Sequence, residues 1–131
     1  MIGLDTNVLI RHIVQDHPVQ SSRATELISR SLTPEQPGFI SAAVLVEVAW
    51  VLERTYRVKR LALASVIERI LQTEVFVVEH EQEAFEAMAA LEEGLGSFAD
   101  VLIGAIARKS GCSHTVTFDK QALRLAGFQP V

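Results

Sequence analysis

Residues 1–14 read MIGLDTNVLIRHIV: an apolar run from Met1 to Leu4 stops at Asp5, and Val8, Leu9, Ile10 and Ile13 then return at helical spacing. This predicts a strand, a tight turn and a helix. The alternation continues downstream. Pro18 opens a second helix reaching about Leu32, the loop Thr33 to Gly38 carries two Pro and one Gly, and Phe39 to Ser41 reads as a short strand. Helices are expected over Ala42–Tyr56, Lys59–Leu71, Glu81–Glu93 and Phe98–Lys109, with buried-type strands at Val75–Val78 and His114–Phe118. Gly94 to Ser97 breaks the chain between the last two helices, Gly111 stands where a C-terminal cap belongs, and Asp119 opens a final short helix to Leu125. Strands that are continuous apolar runs, alternating with helices, imply a parallel sheet covered on both faces.

The composition suits one domain over residues 1–131. At 49% apolar and 21% charged, such a chain buries roughly two-thirds of the surface its unfolded form exposes, which excludes intrinsic disorder. No apolar stretch reaches the roughly 18 residues of a membrane helix, and Asp5 interrupts the place of a signal peptide's apolar core. A soluble, unsecreted protein is expected. The single cysteine, Cys112, closes no internal disulfide and starts no thiolate metal site, which suits a reducing cytoplasm.

The net charge of −4 gives no global field to attract nucleic acid. Local poles exist nonetheless. Basic residues gather at Arg54, Arg57, Lys59 and Arg60 and again at Arg108 and Lys109, while Glu79, Glu81, Glu83, Glu86, Glu92 and Glu93 collect the negative charge. Poles of this kind orient a polyanion, and an ordinary solvated surface has the same composition.

Only four residues are Asp, and three of them, Asp5, Asp100 and Asp119, stand inside or at the mouth of apolar runs; Glu47 lies within AAVLVEVAWVL, residues 42–52. A buried carboxylate costs several kcal/mol unless a cation, hydrogen bonds or a proton offsets it. Helix capping accounts for three of them taken singly. Asp5 and Asp119 stand between strand and helix, where Asp is a favoured N-cap, and Ser97-Phe98-Ala99-Asp100 matches a capping box. Glu47 is mid-helix, and its structural alternative is a buried ion pair with Arg11 or Arg108.

Topology supplies a common destination. In a parallel α/β sheet the carboxyl ends of strands, and the starts of the helices that follow, converge on one crevice, so Asp5, Glu47, Asp100 and Asp119 are expected to face one pocket. Four carboxylates there repel one another unless hard divalent cations neutralise them, and oxygen-only ligands favour Mg²⁺ or Mn²⁺ over zinc. Such a site suits attack by an activated water on a phosphodiester. Thr6, Asn7 and Thr117 stand beside the acids as polar groups able to orient them, or to serve ordinary turn and strand hydrogen bonding.

Four short motifs, MIGLDTNVLIR at the N-terminus, VEVAWVL near residue 50, FADVLIGAIA near 100 and TFD ending at 119, together resemble the PIN domain, and within it the VapC-type toxins. Each is weak alone; their order on an α/β pattern is specific. The resemblance spans nearly the whole chain and implies a three-layer α/β/α fold around a central parallel sheet of four to five strands. It implies that Asp5, Glu47, Asp100 and Asp119 are an acidic tetrad holding Mg²⁺ or Mn²⁺, with Asn7 and Thr117 as polar helpers. It further implies a metal-dependent endoribonuclease toxin, a homodimer, acting on RNA and neutralised by a cognate antitoxin protein.

The chain ends soon after the last motif, leaving little room for a long fifth strand. Arg11, Arg54, Arg57, Lys109, Lys120 and Arg124 are candidates to grip phosphates. Asn7 stands where an aspartyl phosphatase carries its second Asp. The remaining alternative is a PIN fold that has lost activity and serves as an RNA- or protein-binding scaffold; the presence of all four acids favours catalysis.

Overall fold

A computed structural model describes residues 1–131. Five short strands, β1 (Ile2–Gly3), β2 (Gly38–Ile40), β3 (Phe76–Val78), β4 (Thr115–Thr117) and β5 (Phe128–Pro130), alternate with six helices. The helices are α1 (Thr6–Val14), α2 (Pro18–Glu26), α3 (Ala42–Arg54), α4 (Arg60–Gln72), α5 (Glu81–Glu93) and α6 (Phe98–Lys109). The limits of α5 and α6 coincide with those expected. Their ends explain why: Ser97 Oγ accepts the Asp100 N–H, and Gly94 and Gly111 take the left-handed conformation with φ of 73° and 97°, which glycine adopts without strain.

The expected second helix does not run as one α-helix to Leu32. It ends at Glu26 and continues as a π-helical turn, Leu27–Ser31. At its start, His17 Nδ1 accepts the Gln20 N–H at 3.2 Å. The final helix is reduced to a 3₁₀ turn, Ala122–Arg124, because Leu125 is already extended and Gly127, at φ 87°, turns the chain into β5.

All strand pairs are parallel, as the βαβ alternation requires. Ile2 pairs with Gly38 and Gly38 with Phe76, which makes a three-stranded sheet in the order β1-β2-β3. Thr115 pairs with Phe128 in a separate two-stranded β4-β5 sheet. The single sheet of four to five strands is therefore corrected to three strands plus two. β1 is only two residues long, and its flanking amides go to one side: Ile2 donates to Pro37 O and Leu4 to Phe39 O, each at 2.9 Å. The fifth strand does form, three residues long.

Burial follows the helices more than the strands. Leu9, Ile40, Leu45, Leu52, Leu63, Ile67 and Leu102 are fully buried and form the centre of one contiguous core. Val77 and Val116 remain exposed, so neither β3 nor β4 is covered on both faces. β5 is held against α6 by close approach, since a Cβ on Gly104 would lie 2.7 Å from Phe128 Cε2. No helix is long and apolar enough to cross a membrane.

Candidate active site

Asp5 links β1 to α1 as its N-cap, with extended backbone at φ −83° and ψ 160°, but its carboxylate makes no capping hydrogen bond. The side chain is exposed. The next residue, Thr6, is buried, and its Oγ1 is enclosed without a hydrogen-bond partner. Asn7 is exposed on the same turn. Capping thus does not account for Asp5, and an orphaned hydroxyl lies next to it in the chain.

Glu47 is exposed, contrary to the burial expected of it. The reason is a stripe: Ala43, Glu47, Trp50 and Arg54 recur at intervals of three and four, the period of one helix face, and all four are exposed. The apolar character of α3 hides this stripe because it contains a tryptophan. Neither proposed ion-pair partner reaches Glu47. Arg11 bonds Gln20 and Asp16, and Arg108 bonds both oxygens of Glu86, at 2.7 and 2.8 Å.

Asp100 is half-buried in the first turn of α6. Only half of the expected capping box forms: Ser97 Oγ accepts the Asp100 N–H at 3.1 Å, and the Asp100 carboxylate makes no hydrogen bond in return. Asp119, at the end of β4, is exposed and its Oδ1 accepts the Gln121 N–H at 2.8 Å. Thr117 Oγ1 accepts the Asp119 N–H at 3.0 Å, so Thr117 fixes the backbone from which the Asp119 carboxylate projects.

Asp100 and Asp119 line one cavity of about 420 Å³, together with Trp50, Arg54 and Gln121. Asp5 and Glu47 are not on its wall. No three of the Asp, Glu, His and Cys side chains stand close enough together to hold a metal ion. The cavity therefore takes in two of the four expected acids, Asp100 and Asp119, and its lining does not include Asp5 or Glu47. The donor chemistry nonetheless fits a hard divalent cation: every candidate ligand is a carboxylate oxygen, and Cys112 is a free, exposed thiol.

Gln121 is a cavity residue outside all four motifs, and Trp50 lies within VEVAWVL without being read there as a site residue. The signal for Trp50 was the i, i+4 spacing of Trp50 and Arg54; for Gln121 there was none. Glu79, read in the sequence only as part of the acidic pole, has a structural role as well. Following β3, it accepts the Ala42 N–H at 2.9 Å and so helps Ser41 cap α3, the helix that carries Glu47 and Trp50. The basic run at Arg54–Arg60 is not one free patch, because Arg60 donates to the carbonyls of Leu91 and Glu92 at the end of α5. Lys109 is likewise engaged, by Glu83 at 2.9 Å.

The chain belongs to the PIN domain family, whose family model matches residues 2–128. Among individual proteins it is similar to a VapC ribonuclease of Aquifex aeolicus (strain VF5), 32% identical over 93 residues, which is 71% of this chain and 68% of that protein. No solved structure matches it significantly. The resemblance carried by the four motifs is thus borne out.

Proposed function

We propose that this protein is a VapC-like endoribonuclease toxin, residues 1–131 forming a single PIN-like nuclease domain that hydrolyses RNA phosphodiester bonds with Mg²⁺ or Mn²⁺. The observation that carries this reading is the pair Asp100 and Asp119 in one cavity, on a fold whose similar protein is named a VapC ribonuclease. Asp5 and Glu47 complete the acidic tetrad in this reading. Neither has an ion pair or a side-chain hydrogen bond to give up, so both carboxylates are available.

A bound divalent ion supplies an activated water at neutral pH and positive charge against the phosphate oxygens. The protein's part is to hold its carboxylates in place. Ser97 anchors the first turn below Asp100, and Thr117 and the Gln121 amide fix the turn that presents Asp119. Thr6, whose buried hydroxyl has no partner, and Asn7, exposed on the same turn, follow Asp5 in the chain and are the polar helpers of this reading. A cognate antitoxin holds the toxin inactive, and the toxin acts as a cytoplasmic homodimer.

The test is cleavage of a mixed cellular RNA pool by the purified protein, with Mg²⁺, with Mn²⁺ and with EDTA, beside Asp100→Asn and Glu47→Gln. Metal-dependent cutting that both variants lose is the expected result. A folded protein that cuts nothing under either metal favours the catalytically silent scaffold.

A further inference from the structure

Trp50 is the only tryptophan of the chain, and 58% of its surface is exposed. Leaving so large an apolar side chain in water forgoes burial free energy. The Arg54 guanidinium lies over its ring, with Cζ 5.9 Å from the centroid, inside the range of cation–π attraction. Both line the cavity that holds Asp100 and Asp119, and Gln121 adds an amide to the same wall.

From this juxtaposition we propose that Trp50 and Arg54 form a stacking platform for a base of single-stranded RNA next to the bond that is cut. The proposal rests on the nuclease reading and adds the subsite that holds the substrate. Single-stranded RNA is gripped by flat aromatic and guanidinium surfaces, which accept any base because every base has a π face. Charge alone serves this protein poorly, since its net charge is −4 and phosphate attraction scales with the cations that face the strand. Stacking supplies attraction that the charge does not. The cavity wall also argues against a protein occupant. It carries three carboxylates, Glu53, Asp100 and Asp119, and Glu and Asp are depleted at protein interfaces.

Because Trp50 is the sole tryptophan, its fluorescence reports this site alone. The measurement is a titration with short oligouridylate and oligoadenylate, first in EDTA, then in Mg²⁺ with the Asp5→Asn protein so that the strand persists. Saturable quenching by both oligomers is expected. Alongside it, cleavage kinetics should show Trp50→Ala raising KM by roughly tenfold, within the range for loss of one base–aromatic stack, and by more than it lowers kcat. Trp50→Phe should recover most of that loss, and Arg54→Gln should weaken the quenching. RNA that is bound or cut with the Trp50 signal unchanged overturns the platform, as does the absence of any oligomer binding. So does a signal that follows protein concentration and ignores RNA, which assigns the ring to a second copy of the chain. Quenching without cleavage under either metal keeps the platform and removes the nuclease reading; cleavage without quenching does the reverse.

Discussion

At Asp119 one carboxylate oxygen is committed to the backbone of its own turn, where Oδ1 accepts the Gln121 N–H at 2.8 Å, and the other makes no hydrogen bond. Asparagine keeps that acceptor and loses the charge. Asp119→Asn is therefore expected to hold its melting temperature within a few degrees while RNA cleavage falls by about a hundredfold or more, the scale for loss of a group acting on developing charge. Asp119→Ala removes the hydrogen bond to the Gln121 N–H as well, and calorimetry should find it about 1 kcal/mol less stable. Thr6 separates two roles in the same way. Its Oγ1 is enclosed and unpartnered, so Thr6→Val removes an unsatisfied group and leaves stability unchanged or raised. If the hydroxyl orients Asp5, the same variant cleaves RNA more slowly; a variant both stable and fully active shows that the hydroxyl serves nothing at the site.

The link between α5 and α6 is an element-scale device with a pH signature. Glu83 is buried on α5 and pairs with Lys109 on α6 at 2.9 Å. The hydrogen bond from Lys109 holds the Glu83 carboxyl below its usual range, against the opposing pull of burial. A carboxylate whose folded pKa is depressed stabilises the fold above its unfolded pKa, and this contribution is lost as pH falls through the folded value. Lys109→Met should lower the melting temperature more at pH 7 than at pH 3; an equal drop at both would show that the pair does not stabilise the fold through its charge. Elements of this kind were legible in the sequence because their ends carry local chemistry, Ser97 as N-cap and Gly94 and Gly111 as left-handed stops. The orientation of α3 was not. Its residues are apolar nearly all round, so only packing decides that Glu47 and Trp50 share the exposed face, and an acid expected to be buried proves to be solvated.

For the whole molecule, the order of elements and the parallel pairing follow from the alternation of apolar runs, while the extent of the sheet does not. Whether β1 pairs with β4 depends on backbone amides more than a hundred residues apart in the chain, and no property of residues 1–4 or 114–118 reveals that the ladder stops between them. The convergence of the acids was legible in the same partial way. The end of β4 and the start of α6 gave Asp119 and Asp100 a shared cavity, but the positions of Asp5 and Glu47 depend on how α1 and α3 pack. The core itself is robust to this division. Ile67 is fully buried at its centre, and Ile67→Ala should cost about 2–5 kcal/mol, read as a fall in melting temperature on the order of 10 °C. The central claim is that all four acids serve one metal site. Titration calorimetry with Mn²⁺ on the wild type and on Asp5→Asn, Glu47→Gln, Asp100→Asn and Asp119→Asn tests it most directly. The account predicts that each substitution weakens binding by about tenfold or more; Asp5→Asn and Glu47→Gln proteins that bind Mn²⁺ as tightly as the wild type would contradict it.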